Sequence, residues 1–208
     1  MPFFSANGTS VFFSHIPKTG GTSLEKTMEA AGVKISLWSN KLHENKREGF
    51  PCSPQHWHNY IVKELFPDFE NKFAVVRNPL DRIVSEYKHR ARWSLKNNRT
   101  LRPFSEWLDF VIGEYSRNAY FLDNHIRPQA EFVDSSTSIF KIENGLEGAI
   151  KYACDILNME SPENILSLNK GADINVDING AVLNKVRSIY NEDLELFGYE
   201  LEDSKYFL

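Results

Sequence analysis

Three short runs of hydrophobic and β-branched residues interrupt the mostly polar pattern of this chain. They are VFFSHI from Val11 to Ile16, FAVV from Phe73 to Val76 and SIFKI from Ser138 to Ile142. Each run ends at glycine, proline, asparagine or charged residues, which is typical of short buried strands. The pattern therefore predicts three strands that are apolar enough to lie inside a sheet.

The segments between these runs carry apolar residues at the three- and four-residue spacing of a helix. One segment ends at Gly32, and another begins at Pro79, a residue that the first helical turn tolerates. The stretch from Tyr120 to Phe132 is mixed and is predicted to be partly helical. The predicted helices are Thr22–Ala31, Trp57–Phe66, Pro79–Trp93, Pro103–Glu114, Leu146–Leu157 and Ile178–Phe197.

Strands and helices thus alternate along the chain, and no Asn-Gly hairpin signal lies between the predicted strands. This order favours an α/β fold with a parallel sheet flanked by helices. The chain has 208 residues, and no internal repeat or low-complexity tract divides it. We therefore expect a single domain over residues 1–208.

Composition narrows the classes of function. Apolar residues make up 41% and charged residues 25% of the chain, as in ordinary globular proteins. The net charge of −4 argues against a protein that coats nucleic acid. Any site for an anion must therefore come from the local placement of Lys, Arg and backbone N–H groups.

The cysteines and apolar segments of the chain do not indicate a disulfide framework, a zinc site or a membrane span. Cys52 and Cys154 are too few for a disulfide framework and are predicted to be buried thiols. No Cys/His cluster suggests a zinc site, and no window approaches the roughly 20 apolar residues of a membrane span. The first residues also lack the pattern of a secretory signal, so we expect a cytoplasmic protein.

The segment HIPKTGGTSL, from His15 to Leu24, combines a glycine-rich turn with the start of a predicted helix. Glycines let the backbone approach a ligand, and the helix N-terminus favours an anion. The alternative is an ordinary turn between a strand and a helix. It is not a Walker A loop, because its lysine precedes the glycines. The candidate phosphate ligands are Lys18, Thr19, Gly20, Gly21, Thr22 and Ser23.

The second candidate site, RNPLDRIVSEY, begins directly after the strand FAVV. In an open parallel sheet, ligands bind beyond the carboxyl ends of the strands, which suits Arg77 as a phosphate ligand. Ser85, two helical turns later, could add a hydroxyl. Alternatively, Arg77 pairs with Asp81 or Asp68. Arg82 and Arg90 are predicted to be solvated helix residues. Two phosphate sites without a metal-binding aspartate suit a nucleotide with phosphates at both ends of its ribose.

Together, HIPKTGGTSL and FAVVRNPLDRIVSEY resemble the two donor-binding segments of sulfotransferases. The combination is similar to carbohydrate sulfotransferases related to the heparan sulfate uronosyl O-sulfotransferases, and to their small bacterial relatives. The resemblance continues through SPQHWHNYIVKELF, DNHIRPQAEFV, FKIEN and NEDLELFGY, over about residues 10 to 200. It implies a P-loop NTPase-like fold, 3′-phosphoadenosine 5′-phosphosulfate (PAPS) as the donor, and no required metal.

The resemblance also assigns roles to residues. The first loop matches the 5′-phosphosulfate site, Arg77 and Ser85 match the 3′-phosphate pair, and His56 matches the histidine before a helix. His58 could instead be that histidine, because related enzymes carry a His-x-His pair. A neutral histidine is the natural base for a hydroxyl near pH 7, and Lys18 would stabilise charge on the leaving phosphate. His15, at the end of a strand, is predicted to be structural.

The acceptor side is less defined. Arg127, Gln129 and His125 lie in a segment that resembles part of an acceptor cleft, although Arg127 could equally form a surface ion pair. We expect a glycan or glycolipid hydroxyl as acceptor, no nucleic-acid partner, and a monomer or weak dimer. The loop Leu168 to Val176 lacks a basic motif, which leaves Lys170 as its candidate for the donor site. The rival functions are a P-loop kinase and an inactive nucleotide-binding module.

Overall fold

The computed structural model describes residues 2–37, 51–67, 69–168 and 173–201, and Lys170 lies outside these ranges. Two compact units emerge from the contacts within the chain. Unit 1 comprises residues 1–76 and 131–169, and unit 2 comprises residues 77–130 and 170–208. This division into units does not test the prediction of one domain over residues 1–208, which stays a prediction.

Unit 1 is built on a five-stranded sheet in the order β3-β1-β2-β4-β5. Strands β2, β4 and β5 are parallel, with Phe12 beside Lys72 and Lys72 beside Thr137. The strands are Phe3–Ala6 (β1), Thr9–Ser14 (β2), Lys34–Ser36 (β3), Lys72–Val76 (β4) and Thr137–Lys141 (β5). The three strands predicted from the sequence are confirmed within two residues, and they form the parallel half.

The prediction of a wholly parallel sheet is wrong for the other half. Strand β1 pairs antiparallel with both β2 and β3, so the sheet is mixed. Asn7 and Gly8 connect β1 to β2 with φ angles of 49° and 77°. Two consecutive positive φ angles match the hairpin turn that Asn-Gly favours. The first strand and the turn of this hairpin precede the first strand predicted from the sequence.

Helices and aromatic side chains cover both faces of this sheet. Unit 1 contains α1 (Gly21–Ala30), α2 (Asn59–Leu65) and α5 (Glu147–Leu157). Residues of α1 and α5 share one core cluster with Phe4, Phe13 and Phe73, which are fully buried. On the opposite face, Phe3 meets Phe66 edge-on at 5.0 Å between ring centroids. Close packing on both faces fixes the strand ends from which the loops of unit 1 start.

Unit 2 is helical within the residues that the structure describes. Its helices are α3 (Pro79–Lys96), α4 (Phe104–Arg117), α6 (Gly180–Ile189) and α7 (Asn191–Phe197). They enclose a second core that includes Leu80, Trp107, Val111 and Leu183. The sequence predicted one helix over Ile178–Phe197, whereas two helices meet at Tyr190, whose φ of −115° interrupts the helical path.

The stretch predicted to be partly helical, Tyr120 to Phe132, consists of turns and a 3₁₀ helix at Gln129–Phe132. Cys52 and Cys154 are both buried and unbridged, as predicted. In the described part of the chain, no helix is long and apolar enough to cross a membrane.

Candidate functional site

The loop between β2 and α1 makes a tight, defined turn. The Ile16 N–H donates to the Ser14 carbonyl at 2.9 Å, and the Thr19 hydroxyl donates to the Ile16 carbonyl at 2.9 Å. Lys18 and Gly20 both adopt left-handed backbone conformations, with φ angles of 71° and 88°. A left-handed lysine is uncommon, and such conformations concentrate at functional sites.

Both glycines of the loop are required by their surroundings. A Cβ on Gly20 would lie 2.8 Å from Ile142 Cδ1, and Gly20 also has a positive φ. A Cβ on Gly21 would lie 2.5 Å from His15 Nε2, closer than any real contact. The loop therefore approaches its own neighbours at distances that only glycine permits.

Helix α1 begins at the end of this loop and supplies backbone donors. The N–H groups of Ser23 and Leu24 both donate to the Gly20 carbonyl, at 3.0 and 3.1 Å. The N–H groups of Gly21 and Thr22 precede the first helical bonds and lie at the positive end of the helix dipole. With the half-buried Lys18 just before them, these groups form a site suited to a phosphate or sulfate.

Two side chains of the loop are engaged inside the protein. Thr19 is fully buried, and its hydroxyl donates to the Ile16 carbonyl. The Ser23 hydroxyl accepts a hydrogen bond from the Leu168 N–H at 3.0 Å. The Thr27 hydroxyl accepts from the Leu166 N–H in the same way. These contacts hold the segment before residue 169 against α1.

The two histidines considered as the base occupy different surroundings. His56 ends a 3₁₀ turn at Pro54–His56, and its Nδ1 lies 3.4 Å from the Ser53 hydroxyl. The His56 ring also meets the His15 ring edge-on, with centroids 5.3 Å apart. His58, at the start of α2, stacks on Tyr60 at 6.3 Å. The His56 ring therefore contacts His15, the residue at the start of the loop between β2 and α1.

His15, predicted to be structural, belongs to a buried polar cluster beside the loop. Its Nδ1 lies 2.5 Å from Glu25 Oε1, and Gln55 Nε2 lies 3.3 Å from Glu25 Oε2. The sequence motifs predict neither Glu25 nor Gln55 as a site residue. Glu25 sits on the face of α1 that also carries the buried Leu24 and Met28. The sequence signal for Glu25 is a carboxylate on the apolar face of a helix, where charged residues are rarely buried without a partner.

In unit 2, Arg77 is held through its backbone. Gln129 Oε1 accepts from the Arg77 N–H at 2.9 Å, and Gln129 Nε2 donates to the Arg77 carbonyl at 2.8 Å. The following Asn78 caps α3 by accepting from the Leu80 N–H. The backbone is therefore fixed while the Arg77 side chain stays half-exposed, as does Ser85 farther along α3.

The Gln129 amide is itself fixed by Asp193 on α7. Asp193 Oδ2 accepts from the Gln129 N–H at 2.9 Å, and Oδ1 accepts from the Ala130 N–H at 2.8 Å. Asp193 is fully buried, and burial raises the pKa of its carboxyl group above the ordinary value. Gln129 is likewise fully buried, so its observed contacts position Arg77. Its contact with an acceptor stays a prediction.

Arg82 was expected to be solvated, but the structure buries it to 2% exposure. Its guanidinium donates to the carbonyls of His125 and Arg127, at 3.1 and 2.9 Å, and lies over the Tyr190 ring. Burial raises the pKa of Tyr190, whose hydroxyl donates to the Ile126 carbonyl at 2.9 Å. Arg82 and Tyr190 together therefore bind the three carbonyls of residues 125 to 127.

His125 and Arg127 differ in exposure. The His125 Nδ1 lies 2.7 Å from Glu86 Oε2, whose other oxygen accepts from Arg90 at 2.6 Å. The His125 side chain keeps 15% exposure, whereas Glu86 has none. Arg127 is 5% exposed and donates to Asn124 and to the Ala119 carbonyl. Arg127 is therefore a buried hydrogen-bonded residue and not a surface ion pair.

Within the described ranges, no group of three or more His, Cys, Asp or Glu residues is arranged to hold a metal ion. A family model described as "Sulfotransferase family" matches residues 1–200. No curated protein and no solved structure matches the chain.

Proposed function

Because the chain belongs to the sulfotransferase family, we propose that it transfers a sulfuryl group from PAPS to a carbohydrate hydroxyl. The observation that supports this most strongly is the loop between β2 and α1, with its left-handed Lys18 and Gly20. Such a loop at a helix N-terminus provides backbone donors and a cation for a compact anion. We propose that it acts as a P-loop-type donor site.

The two ends of the donor are assigned to different residues. The loop from Lys18 to Ser23 binds the 5′-phosphosulfate, chiefly through backbone N–H groups and the Lys18 ammonium. Arg77 binds the 3′-phosphate through its guanidinium, and Ser85 adds a hydroxyl. The clamp of Gln129 on the Arg77 backbone supports this assignment, because it fixes the origin of a long side chain.

The reaction breaks the bond between sulfur and the bridging phosphate oxygen and forms a bond between sulfur and the acceptor oxygen. Negative charge develops on the leaving phosphate, where Lys18 and the loop N–H groups stabilise it. The acceptor hydroxyl loses its proton to His56. The contact of the His56 ring with His15 supports His56 over His58 for this role.

On the acceptor side, His125 is the residue best suited to touch a sugar hydroxyl. Its side chain is partly exposed, and Glu86 fixes the orientation of the ring. Arg127 and Gln129 are buried in hydrogen bonds, so we propose that they shape the acceptor segment through their contacts.

Calorimetric titration with adenosine 3′,5′-bisphosphate, and with ATP in the absence of added metal, tests the donor class. We expect the bisphosphate to bind at least tenfold more tightly than ATP. Preference for ATP would favour a kinase and would contradict the proposal. Binding of the bisphosphate without transfer of labelled sulfate to any glycan acceptor would identify an inactive module.

The pair His56→Ala and His58→Ala tests the base. We expect His56→Ala to lower kcat by about 10²- to 10⁴-fold at unchanged bisphosphate affinity, as for loss of a general base. His58→Ala should retain kcat within a few fold, since its ring packs on Tyr60. The reverse ranking would move the base to His58, and unchanged rates in both would remove histidine from this role.

A further inference from the structure

We propose that the C-terminal end of α3, together with the loop that leads to α4, docks on an anionic lipid bilayer. This surface, here called the basic end of α3, lies within unit 2. The proposed 3′-phosphate ligand Arg77 precedes the other end of the helix, whose 18 residues span about 27 Å at 1.5 Å each. The basic end of α3 consists of Arg92, Trp93, Leu95, Lys96, Arg99 and Arg102.

The charged side chains of this part of the chain are all positive. Residues 87–105 contain six Lys or Arg and no Asp or Glu, although the whole chain has a net charge of −4. Lys88, Arg92 and Lys96 follow one another at four-residue spacing, so they form one row along the helix, where like charges destabilise it. Among the residues that the structure describes, none forms an ion pair with these three. An anionic partner would therefore relieve a repulsion that the fold leaves in place.

Two large apolar side chains lie between these cations. Trp93 is 53% exposed and Leu95 is 51% exposed, and every residue from Leu95 to Thr100 is exposed. Basic residues around an exposed Trp and Leu are typical of segments that lie in the interface of a membrane, where the indole ring reaches the headgroups. A soluble polyanion offers no apolar phase to Leu95, so the apolar side chains favour a bilayer as the partner.

Hydrogen bonds and a ring contact give this surface a fixed shape. The Tyr87 hydroxyl donates to the Arg102 carbonyl at 2.7 Å, and the Arg99 N–H donates to the Ser94 carbonyl at 2.9 Å. The Arg99 guanidinium lies over the Trp93 ring, 4.6 Å from its centroid. Because the loop is already held on the helix, docking would cost little further conformational entropy.

A pocket beside Trp93 has the charge that an anionic headgroup requires. Its volume is about 320 Å³, and four of its five lining residues carry basic side chains. Clusters of four to eight Lys and Arg residues on an amphipathic helix are typical of binding to anionic lipids. The pocket is lined by His89, Arg90, Arg92, Trp93 and Lys96.

Co-sedimentation of the full chain with vesicles tests the role of charge. Vesicles of phosphatidylcholine with phosphatidylserine should bind the protein, and vesicles of phosphatidylcholine alone should not. Arg92→Gln combined with Lys96→Gln should weaken binding about 25-fold, because each cation near an anionic surface contributes about fivefold. Lys34→Gln combined with Lys151→Gln removes the same charge from exposed positions of unit 1 and should bind like the parent.

Lipids brominated in their acyl chains test the apolar contact. They should quench the fluorescence of the parent, and they should quench Trp93→Tyr much less, since Trp57 and Trp107 are buried. Trp93→Ala should weaken vesicle binding about fivefold, as for the loss of a half-buried aromatic side chain. Leu196→Ala, which truncates an exposed leucine of α7, should bind like the parent.

The proposal is wrong if the protein binds neither kind of vesicle, or binds both equally, or if the two double variants weaken binding equally. Dextran sulfate, a soluble polyanion, separates the alternative partner. If it binds as tightly as the vesicles do and Trp93→Ala leaves both affinities unchanged, the surface recognises an acidic polysaccharide and not a bilayer. Affinity for adenosine 3′,5′-bisphosphate should stay the same in every variant, so this proposal and the donor assignment fail independently.

Discussion

The loop of unit 1 and the segment 125–130 of unit 2 place polar groups by opposite means. In the loop, left-handed backbone at Lys18 and Gly20 aims N–H groups, and the glycines leave room for close neighbours. In the segment 125–130, buried charged side chains hold carbonyls and N–H groups from outside. The loop, which is shaped by its backbone, should be disrupted by a larger side chain. The segment 125–130, which is held by buried side chains, should be disrupted by the loss of one of those side chains.

The segment 125–130 should show the larger response to removal. Asp193→Ala would leave the N–H groups of Gln129 and Ala130 buried without their acceptor. Each such orphan costs about 1–3 kcal/mol, so we expect a loss of about 3–5 kcal/mol in the free energy of unfolding. Urea denaturation followed by circular dichroism measures this loss.

Asp193→Asn is the matched control, because it keeps one carbonyl acceptor and the shape of the side chain. It should lose less than half as much stability as Asp193→Ala. Equal losses would show that shape and not hydrogen bonding dominates at this position, and would break the contrast with the loop.

The loop should respond most to a single added methyl group. In Gly21→Ala the new Cβ would displace the His15 ring, since the two would lie 2.5 Å apart. The displaced ring would shift the loop, and a misplacement of about 1 Å in an active site can cost about 10²-fold in rate, so we expect a loss of that size in kcat/KM for sulfate transfer.

Gly113→Ala provides the control for this substitution. Gly113 lies within α4, and a Cβ there would meet nothing within 4 Å. It should leave kcat/KM unchanged and raise stability by about 0.5–1 kcal/mol, as alanine does within a helix. Equal activity losses at both glycines would argue against a special role for the loop.

Asp134 in unit 1 and Asp193 in unit 2 have pKa values shifted in opposite directions, so their contributions to stability should depend on pH in opposite ways. Burial would raise the pKa of Asp134, but hydrogen bonds from Lys72, Ser136 and Thr137 outweigh it and lower the pKa below its usual value. Asp134 in unit 1 therefore contributes stability that is present above its unfolded pKa of about 4 and is lost as the pH falls below that value. We expect Asp134→Asn to cost about 2 kcal/mol at pH 7.

Thermal unfolding at a series of pH values checks this prediction, because parent and Asp134→Asn should converge as the solution is acidified. For Asp193 the raised pKa reverses the sign, so its contribution declines as the pH rises above the unfolded value. A constant difference between parent and Asp134→Asn at all pH values would contradict the role of the ionised carboxylate.

The same contrast explains what the sequence could predict. The strand, glycine loop and helix at residues 9–30 rest on local patterns, so they were predicted almost to their ends. The prediction for Arg82 was wrong because its partners, the backbone carbonyls of His125 and Arg127, lie about forty residues away in sequence. Every residue has a backbone carbonyl, so these partners leave no signal in the sequence. Only tertiary packing decides which arginine of a helix is buried.

The sequence did not predict the two short strands β1 and β3, nor the break between α6 and α7. Strand β1 has four residues and β3 has three, too few for alternation to register, although Asn7-Gly8 carried a hairpin signal. The break at Tyr190 could not be read from spacing, because the apolar period continues across it. There the hydroxyl of Tyr190 is tied to Ile126, a contact distant in sequence.

The mixed sheet also has a consequence for biosynthesis. As the nascent chain leaves the ribosome, β1, β2 and β3 can pair once residues 3–36 have emerged. The other edge of β2 must wait for β4, which begins at Lys72. At roughly 5–20 residues per second, that apolar edge stays open for several seconds. A chaperone that binds extended hydrophobic segments would find its target there, between the synthesis of the two strands.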